Sequence, residues 1–567
     1  MKISGAEAVA RTLARLEVEF AFNVPGFGLQ PLVDALDHHR TEIRYVSSVN
    51  ETNIALVANG YARASGRPAF LSVYHASGTA LAMMGVTTAW ADNVPMVIAS
   101  TTAARSVSGR DPYAAIPRQA TDMTEQFTKW SFEIPSAERI PEILSRAFAI
   151  AATPPMGPVH LAFPLDLYTS MVDDEVLESV RPLSVPQPGA AEPRAVQQAA
   201  EVLGRGRDVV MVLGSEVAQY GAVDAAIRLA EATGATVLME QFPSRFPFPT
   251  THQQYVGKVS DFPDIPLEAD VLLYVGCELT EQRGPGQNLL VGTGATRIFL
   301  SVDPQLTTKF FTPDISLTGA PSLTLSALAD AVSSTDSDGP TTAIAPRPTH
   351  YIERRRLARD RRQALLDDGF HDSPLRAARV IHELAALGGG ECAVVNQAGT
   401  AAVLAETLWD FGNPELYFGI SAKASAQGWA LPAAIGVSLC KPERPVIVLV
   451  GDGGFMFSAT AIYTAANLKS RIVFVVVRNG GWQDISASSR AIGGESHIRE
   501  SEYGWTFDSP EIDFVGLAVS LGVPAVRAST PEDLHVQLKN AMEAHGPVVL
   551  VADCDPADVD FFFRKAQ

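Results

Sequence analysis

The sequence predicts an α/β chain of three doubly wound parallel-sheet domains, and three observations carry that prediction. Short β-branched apolar runs at 69–73, 209–213, 271–275, 446–450 and 472–477 recur along the chain with helical-period stretches between them, which is the pattern of βαβ units. The runs are apolar but for Ser72, as strands covered on both faces tend to be. The length, 567 residues with 47% hydrophobic and 19% charged side chains, suits about three domains of ordinary size.

The first domain is expected over 1–170. Its opening, MKISGAEAVARTLARLEVEF, reads as an amphipathic helix with Arg11, Arg15 and Glu17 on the polar side, without the apolar core of a signal peptide. Strands are expected at 20–24, 43–46, 69–73, 96–100 and 159–163, and helices at 29–38 and 53–65. Pro25-Gly26-Phe27-Gly28 forms the turn after the first strand. Glu51 stands between a strand and the helix that ends Gly60-Tyr61-Ala62, where a carboxylate matches the helix dipole. Tyr74-His75-Ala76-Ser77-Gly78-Thr79 closes the next strand, which places His75 as a proton donor near neutral pH. Gln119 falls in the loop IPRQATDMTEQFTKW.

A linker of mixed charge and proline leads to the second domain, 190–332, with strands at 209–213, 235–239, 271–275 and 297–302 and a helix at 222–233. Gly214-Ser215 ends its first strand, but no GxGxxG follows a strand here, so the nucleotide signal is weak. Arg283, in a loop beyond Gly276, is a candidate partner for a substrate carboxylate. The stretch 333–350, SSTDSDGPTTAIAPRPTH, has linker composition. A charged helix with a solvated face is expected at 351–368.

The third domain, 365–560, carries the stretch on which the chemistry turns, VIVLVGDGGFMFSATAIYTAANLKSRIVFVVVRNGGW at 446–482. A strand at 446–450 ends in Gly451-Asp452-Gly453-Gly454. A helix is expected at 458–468, and a second strand at 472–477 runs into Asn479-Gly480-Gly481. That is one βαβ unit with a polar group at the carboxyl end of each strand, where open α/β sheets bind ligands. Asp452 offers a carboxylate, Asn479 an amide oxygen and Gly481 a backbone carbonyl. These are hard donors of the kind Mg²⁺ takes beside phosphate and water. Gly451, Gly453 and Gly454 let backbone N–H groups approach a phosphate. Strands are also expected at 393–396, followed by Gln397 to Thr400, at 416–418, and at 548–552. The run Ser425-Ala426-Gln427-Gly428-Trp429-Ala430-Leu431-Pro432-Ala433-Ala434-Ile435-Gly436 lies between, and 483–510 is too long for a plain connector.

Gly-Asp-Gly, then 25 residues after Gly453, then Asn479 resembles the thiamine diphosphate signature of the 2-oxo acid decarboxylases, acetolactate synthases and carboligases. Arg478 departs from it, standing where the family has the first of two asparagines. The resemblance covers nearly the whole chain: Glu51 with Gly60-Tyr61-Ala62, Gly157-Pro158-Val159-His160-Leu161 running to Pro164-Leu165-Asp166, and the 425–436 run. Phe246-Pro247-Phe248-Pro249-Thr250, with His252 and Gly257, is similar to the benzoylformate decarboxylase branch, which carries no flavin.

The resemblance implies pyrimidine-binding, central and diphosphate-binding domains in that order, with thiamine diphosphate and Mg²⁺ as cofactors and FAD not expected. It makes Asp452, Asn479 and Gly481 the metal ligands and places Pro25, Gln397, Ala426, Gln427, Gly451, Gly453 and Gly454 at the cofactor. It gives Glu51 the hydrogen bond to the pyrimidine ring that leads to loss of the thiazolium C2 proton. Tyr74, His75, Gln119 and Gln427 are proton-relay or orienting candidates. Gln427 replaces a large apolar wedge under the cofactor, and a buried amide there needs partners or costs about 1–3 kcal/mol. The substrate residues depart from the benzoylformate decarboxylase pattern. Phe27 stands where that branch has Ser, and Tyr74 where it has its first active-site His, with His75 one position on.

The activity so implied is non-oxidative decarboxylation of a 2-oxo acid with carboligase capacity. An acetolactate synthase-like transferase or an acyloin lyase is the alternative, with a 2-oxo acid or aldehyde as substrate. A scaffold that merely keeps the fold has no use for Glu51, Asp452 and Asn479 together. Family active sites lie between subunits, so Glu51 of one chain is expected to face Asp452 and Asn479 of another in a homodimer or homotetramer. The net charge of −19, from 44 basic and 63 acidic residues, speaks against nonspecific nucleic-acid binding. Cys277, Cys392, Cys440 and Cys554 are scattered without a CxxC pair, which suggests neither zinc nor a secreted framework. No 18-residue apolar run suggests a membrane span, and a cytoplasmic enzyme is expected.

Overall fold

The computed structural model describes residues 1–107, 109–110, 119–259, 261, 269–279, 294–335, 349–421 and 423–559. Its frame is three six-stranded sheets, each parallel throughout. The first runs, edge to edge, Arg44–Ser47, Phe20–Asn23, Ala69–Val73, Met96–Thr102, Pro158–Pro164 and Trp130–Glu133. The second runs Tyr255–Lys258, Thr236–Met239, Val209–Leu213, Val271–Val275, Thr296–Ser301 and Ile315–Thr318. The third runs Tyr417–Phe418, Ala393–Gln397, Val446–Gly451, Ile472–Arg478, Val548–Asp553 and Ala525–Ala528. An antiparallel pair, Lys2–Ser4 with Met171–Asp173, ties the chain's start to the end of the first sheet.

Counted along the chain, strands in the first and third sheets share the order 2-1-3-4-6-5, whereas the second has 3-2-1-4-5-6. Each order reverses beside its first strand, and the first and third reverse again at their 6-5 edge; crevices open at the carboxyl ends of the two strands flanking the first of these reversals. In the first sheet those strands are Phe20–Asn23 and Ala69–Val73, which lead to Pro25 and Tyr74. In the third they are Ala393–Gln397 and Val446–Gly451, which deliver Gln397 and Asp452. In the second they lead to Gly214 and Gly276. There the crevice is shut by the chain itself: a Cβ on Gly214 would stand 2.1 Å from the Gly276 carbonyl. The N–H and hydroxyl of Ser215 are both donated to Glu240.

The first and third sheets share one hydrophobic core. It is bridged by the helices Glu51–Ser65 and Ala430–Cys440, which are buried along nearly their whole length. Gly60 and Gly436 occupy their crossing.

Several elements differ from expectation. The helix expected at 458–468 is two, Asp452–Ser458 and Ala461–Asn467. The first begins on the Gly-Asp-Gly itself, whose glycines lower helix propensity and mask the start. Tyr74 to Thr79 is not a loop closing a strand but the entry to a long helix, His75–Ala91. The edge strands Trp130–Glu133, Tyr255–Lys258 and Ile315–Thr318 lack the apolar runs of central strands and escape pattern reading. The opening helix is Gly5–Arg15, with Ser4 accepting the Glu7 N–H. The charged helix Thr349–Asp367 is not simply solvated, because Arg354 and Tyr351 are buried. Of the expected linker, 336–348 lies outside the described residues. None of the four cysteines is in a disulfide. Among the described residues no helix is long and apolar enough to cross a membrane.

Candidate active site

In the third sheet the strand Val446–Gly451 stops where Asp452 begins a helix, and the neighbouring strand Ile472–Arg478 stops just before Asn479. Adjacent strands in register therefore bring residues 28 and 29 positions apart into contact. Asp452 Oδ2 accepts the N–H groups of Gly480 at 2.8 Å and Gly481 at 3.1 Å, and Oδ1 accepts that of Gly453 at 2.8 Å. The side chain is 2% exposed. Burial pushes its carboxyl up to about 6, against the pull of those N–H groups. The Asn479 amide is half-buried and has no side-chain partner among the described residues. The Gly481 carbonyl accepts the Gln483 N–H at 2.9 Å and keeps its second lone pair.

Gly451 and Gly480 border open space, since a Cβ on either would meet nothing within 4 Å. Gly453 is the reverse: a Cβ there would lie 2.3 Å from the Trp482 ring, which itself packs edge-on against Phe457 and Phe507. The stretch after Trp482 is not a bare loop. It forms the helix Gln483–Ala491 and comes back at Trp505–Phe507. There Trp482 N–H bonds the Trp505 carbonyl at 2.7 Å and Phe507 N–H the Gly480 carbonyl at 2.9 Å. Gln397 is buried and spans to the next segment, donating Nε2–H to the Ala426 carbonyl and accepting the Ala430 N–H at 2.8 Å. Gln427, expected as a buried wedge, is exposed in the single chain. Arg478 is drawn off to the sheet edge, where it bonds Asp553 at 3.1 Å and Glu511 at 2.8 Å. The departure at that position therefore has its own carboxylate partners.

The first sheet's crevice holds the other candidates. Pro25 is exposed, and its neighbour Gly26 lies so close to Tyr74 that a Cβ would stand 2.7 Å from the Tyr74 Cβ. The Tyr74 and His75 rings stack at 3.7 Å. His75 has φ 53, an unfavourable left-handed backbone for a side chain with a Cβ. Its N–H and its Nδ1 both lie 2.9 Å from Thr101 Oγ1, and burial holds its pKa below the ordinary 6.5. Thr101 carries no sequence signal of this role, since nothing marks which strand residue will face a neighbouring helix start. Glu51 is the first residue of its helix, capped by Asn50, whose side chain accepts the Asn53 N–H at 2.7 Å. Its carboxylate is half-buried and lies against Gly78. Gln119 is exposed, and Arg283 lies outside the described residues.

Within one chain the start of the Glu51 helix packs on the helix Ala461–Asn467: Ser48 meets Thr464 at 2.9 Å and Asn53 meets Thr460 at 2.9 Å. Among the described residues no hydrogen bond joins Glu51 to Asp452 or Asn479.

Comparison with known proteins decides what this arrangement belongs to. The N-terminal TPP binding domain of thiamine pyrophosphate enzymes matches residues 3–126, their central domain 196–328 and their C-terminal TPP binding domain 397–552. The chain belongs to the thiamine pyrophosphate enzyme family. It is 29% identical to the benzoylformate decarboxylase of Pseudomonas aeruginosa over 544 residues, 95% of this chain and 96% of that one. It is 27% identical to the acetolactate synthase isozyme 3 large subunit of Escherichia coli, over 95% and 92% of the two chains. A solved structure, the thiamine diphosphate-dependent 4-hydroxybenzoylformate decarboxylase of Rhodococcus jostii, superposes with a TM-score of 0.83 over 98% of this chain and 99% of that one. At 24% identity that likeness speaks for the fold.

The residues present fit the family's cofactor. A buried carboxylate with a raised pKa, an unpartnered amide and a half-used carbonyl are oxygen donors that a divalent cation would satisfy. The open ground at Gly451 and Gly480 leaves room for a diphosphate between the strand ends.

Proposed function

We propose that this thiamine pyrophosphate enzyme is Mg²⁺-dependent and decarboxylates a 2-oxo acid without oxidation, and that it can pass the resulting acyl carbanion to an aldehyde. The observation that carries the reading is the Asp452, Asn479 and Gly481 donor set at the carboxyl ends of two neighbouring strands of the third sheet. When bound, thiamine diphosphate supplies the electron sink that stabilises the carbanion left by CO₂. Asp452, Asn479 and the Gly481 carbonyl would hold Mg²⁺ beside the diphosphate, with Gly451 and Gly454 letting the backbone approach it, whereas Gly453, expected there too, gives its N–H to Asp452 and packs on Trp482. Gln397, Ala426 and Gln427 would hold the thiazolium part of the cofactor and Pro25 its pyrimidine part. Glu51 would share a proton with a pyrimidine nitrogen of the bound cofactor. His75, kept neutral by burial, offers its second ring nitrogen for proton transfer, with Tyr74 stacked on it and Gln119 at the rim.

The reading needs a second copy of the chain. Around the Glu51 helix start and the Asp452 helix, Val49, Leu81, Met456, Phe457 and Tyr463 are exposed. A shared apolar face of this kind suits a two-fold contact, with Glu51 of one protomer meeting the Asp452 region of its partner. A cytoplasmic location goes with this reading, since four cysteines outside any disulfide ask for no oxidising compartment.

A transferase of the acetolactate synthase kind remains the second reading, because relatives of both kinds match along nearly the full chain. The test is to supply 2-oxo acids with thiamine diphosphate and Mg²⁺, with and without an aldehyde, and to follow CO₂ and products by NMR. Aldehyde release without an acceptor supports the decarboxylase. Product formed only from two 2-oxo acids supports the transferase. Absence of CO₂ from every 2-oxo acid tried rejects both.

A further inference from the structure

The geometry points to Arg63 and Asp92 as positioning residues that hold the chain's own cofactor-facing segment, 419–429, from the first domain. The inference rests on the proposed cofactor contacts of Ala426 and Gln427. Arg63 lies in the last turn of the Glu51 helix and is buried, at 6% exposure. Its Nη1–H donates to the Gly419 carbonyl at 2.8 Å, and its Nη2–H to Asp92 Oδ2 at 2.6 Å. The same Asp92 oxygen accepts the Ser421 N–H at 3.4 Å. The guanidinium also lies 5.0 Å from the Trp429 ring, and Trp429 Nε1–H donates to Asn59 Oδ1 at 3.0 Å, one helical turn from Arg63. One face of a first-domain helix thus grips the segment where it leaves its strand, at Gly419 and Ser421, and where it enters its helix, at Trp429.

The stretch between the grips needs holding. Ser425 has φ 42, a strained conformation for a residue with a Cβ that persists only where the surroundings over-determine it. The central domain braces the clamp, because Arg245 donates to the Arg63 carbonyl at 2.8 Å and lies over the Phe418 ring. Ser244 offers its carbonyl to the Gly419 N–H at 2.9 Å. A lysine cannot replace the fork, since an ammonium reaches one acceptor direction at a time and does not stack as a plane.

Arg63→Lys and Asp92→Asn separate positioning from general stability. Two measurements are made on the full chain: calorimetric titration of thiamine diphosphate in Mg²⁺, and amide hydrogen exchange without cofactor. Each variant is expected to weaken thiamine diphosphate binding by about tenfold. Exchange should speed up about tenfold in 419–429 while the strand Val446–Gly451 keeps its protection. The double variant should be little worse than either single one, as expected of one network. Binding within about twofold of wild type, with 419–429 as protected as before, overturns the inference, as does equal loss of protection in Val446–Gly451. Trp429→Phe keeps a ring under Arg63 but drops the Asn59 bond. It should speed exchange in 419–429 more mildly, and it serves if Arg63→Lys does not fold. A wild-type chain that fails to bind thiamine diphosphate would remove the proposed function, whereas the exchange measurement still decides whether the clamp exists.

Discussion

Gly60 and Gly436 meet where the Glu51 helix crosses the helix Ala430–Cys440. A Cβ on Gly60 would stand 2.1 Å from the Ala433 carbonyl oxygen, and one on Gly436 2.1 Å from that of Val57. The close approach is backbone against backbone, so no side chain can swing aside to make room. Alanine ordinarily favours a helix over glycine by about 1 kcal/mol. Here Gly60→Ala and Gly436→Ala should instead destabilise by about 1–3 kcal/mol through overpacking, read as a lower urea midpoint. An unchanged or higher midpoint would mean that the two helices can part freely.

Asp452 gives the cofactor-free protein a pH signature. Its carboxyl is pushed from 3.8 to about 6 by burial. A carboxyl raised on folding contributes stability that is complete below its unfolded value and is lost as pH rises through the folded one. The amount is on the order of 3 kcal/mol. Without metal, the melting temperature should therefore fall between about pH 4 and pH 7 relative to Asp452→Asn. A divalent cation needs the ionised form, so stabilisation by Mg²⁺ with thiamine diphosphate should grow across the same interval and be absent in Asp452→Asn. Equal stabilisation of that variant would displace Asp452 from the metal.

Glu51→Gln keeps the size of the side chain, and the helix start is capped by Asn50, not by Glu51. The variant should fold and bind thiamine diphosphate within about threefold of wild type, yet lose on the order of 10²–10⁴ in turnover. Deuterium exchange at C2 of the bound cofactor, followed by NMR, should slow in parallel. Undiminished exchange would hand proton activation to another group.

What the sequence reveals and what it hides follow from how local each signal is. Asp452, Asn479 and Gly481 are legible because two consecutive buried strands fix their register, so a spacing along the chain becomes a distance in space. Gly26 and Tyr74 become neighbours only through a strand order that no local pattern encodes. The helix His75–Ala91 escapes notice because its residues are small and apolar on most sides, leaving no amphipathic period. Arg63 reads as one more helix-end cation, although its acceptors lie 29 and 356 positions away. Gln427, expected as a buried wedge, is exposed, because the burial of one side chain is a tertiary outcome that its neighbours along the chain do not encode.

His75 provides the sharpest separation of backbone from side chain. Its φ of 53 lies where any Cβ is crowded by the following carbonyl, and the conformation is pinned by Thr101, which takes both the N–H and Nδ1. Because the residue opens a helix, the usual preference would rank alanine above glycine by about 1 kcal/mol. At this position the order should invert: His75→Gly should be more stable than His75→Ala by about 1 kcal/mol, since only glycine adopts the left-handed backbone without strain. If the strain exists to aim the ring, both variants should lose about 10²-fold in turnover despite their different stabilities. Paired thermal melts and rates resolve the two effects. Inverted stability with unchanged rates would leave His75 as a packing residue, whereas slowed rates in both would make it the group that the strained turn presents to the substrate.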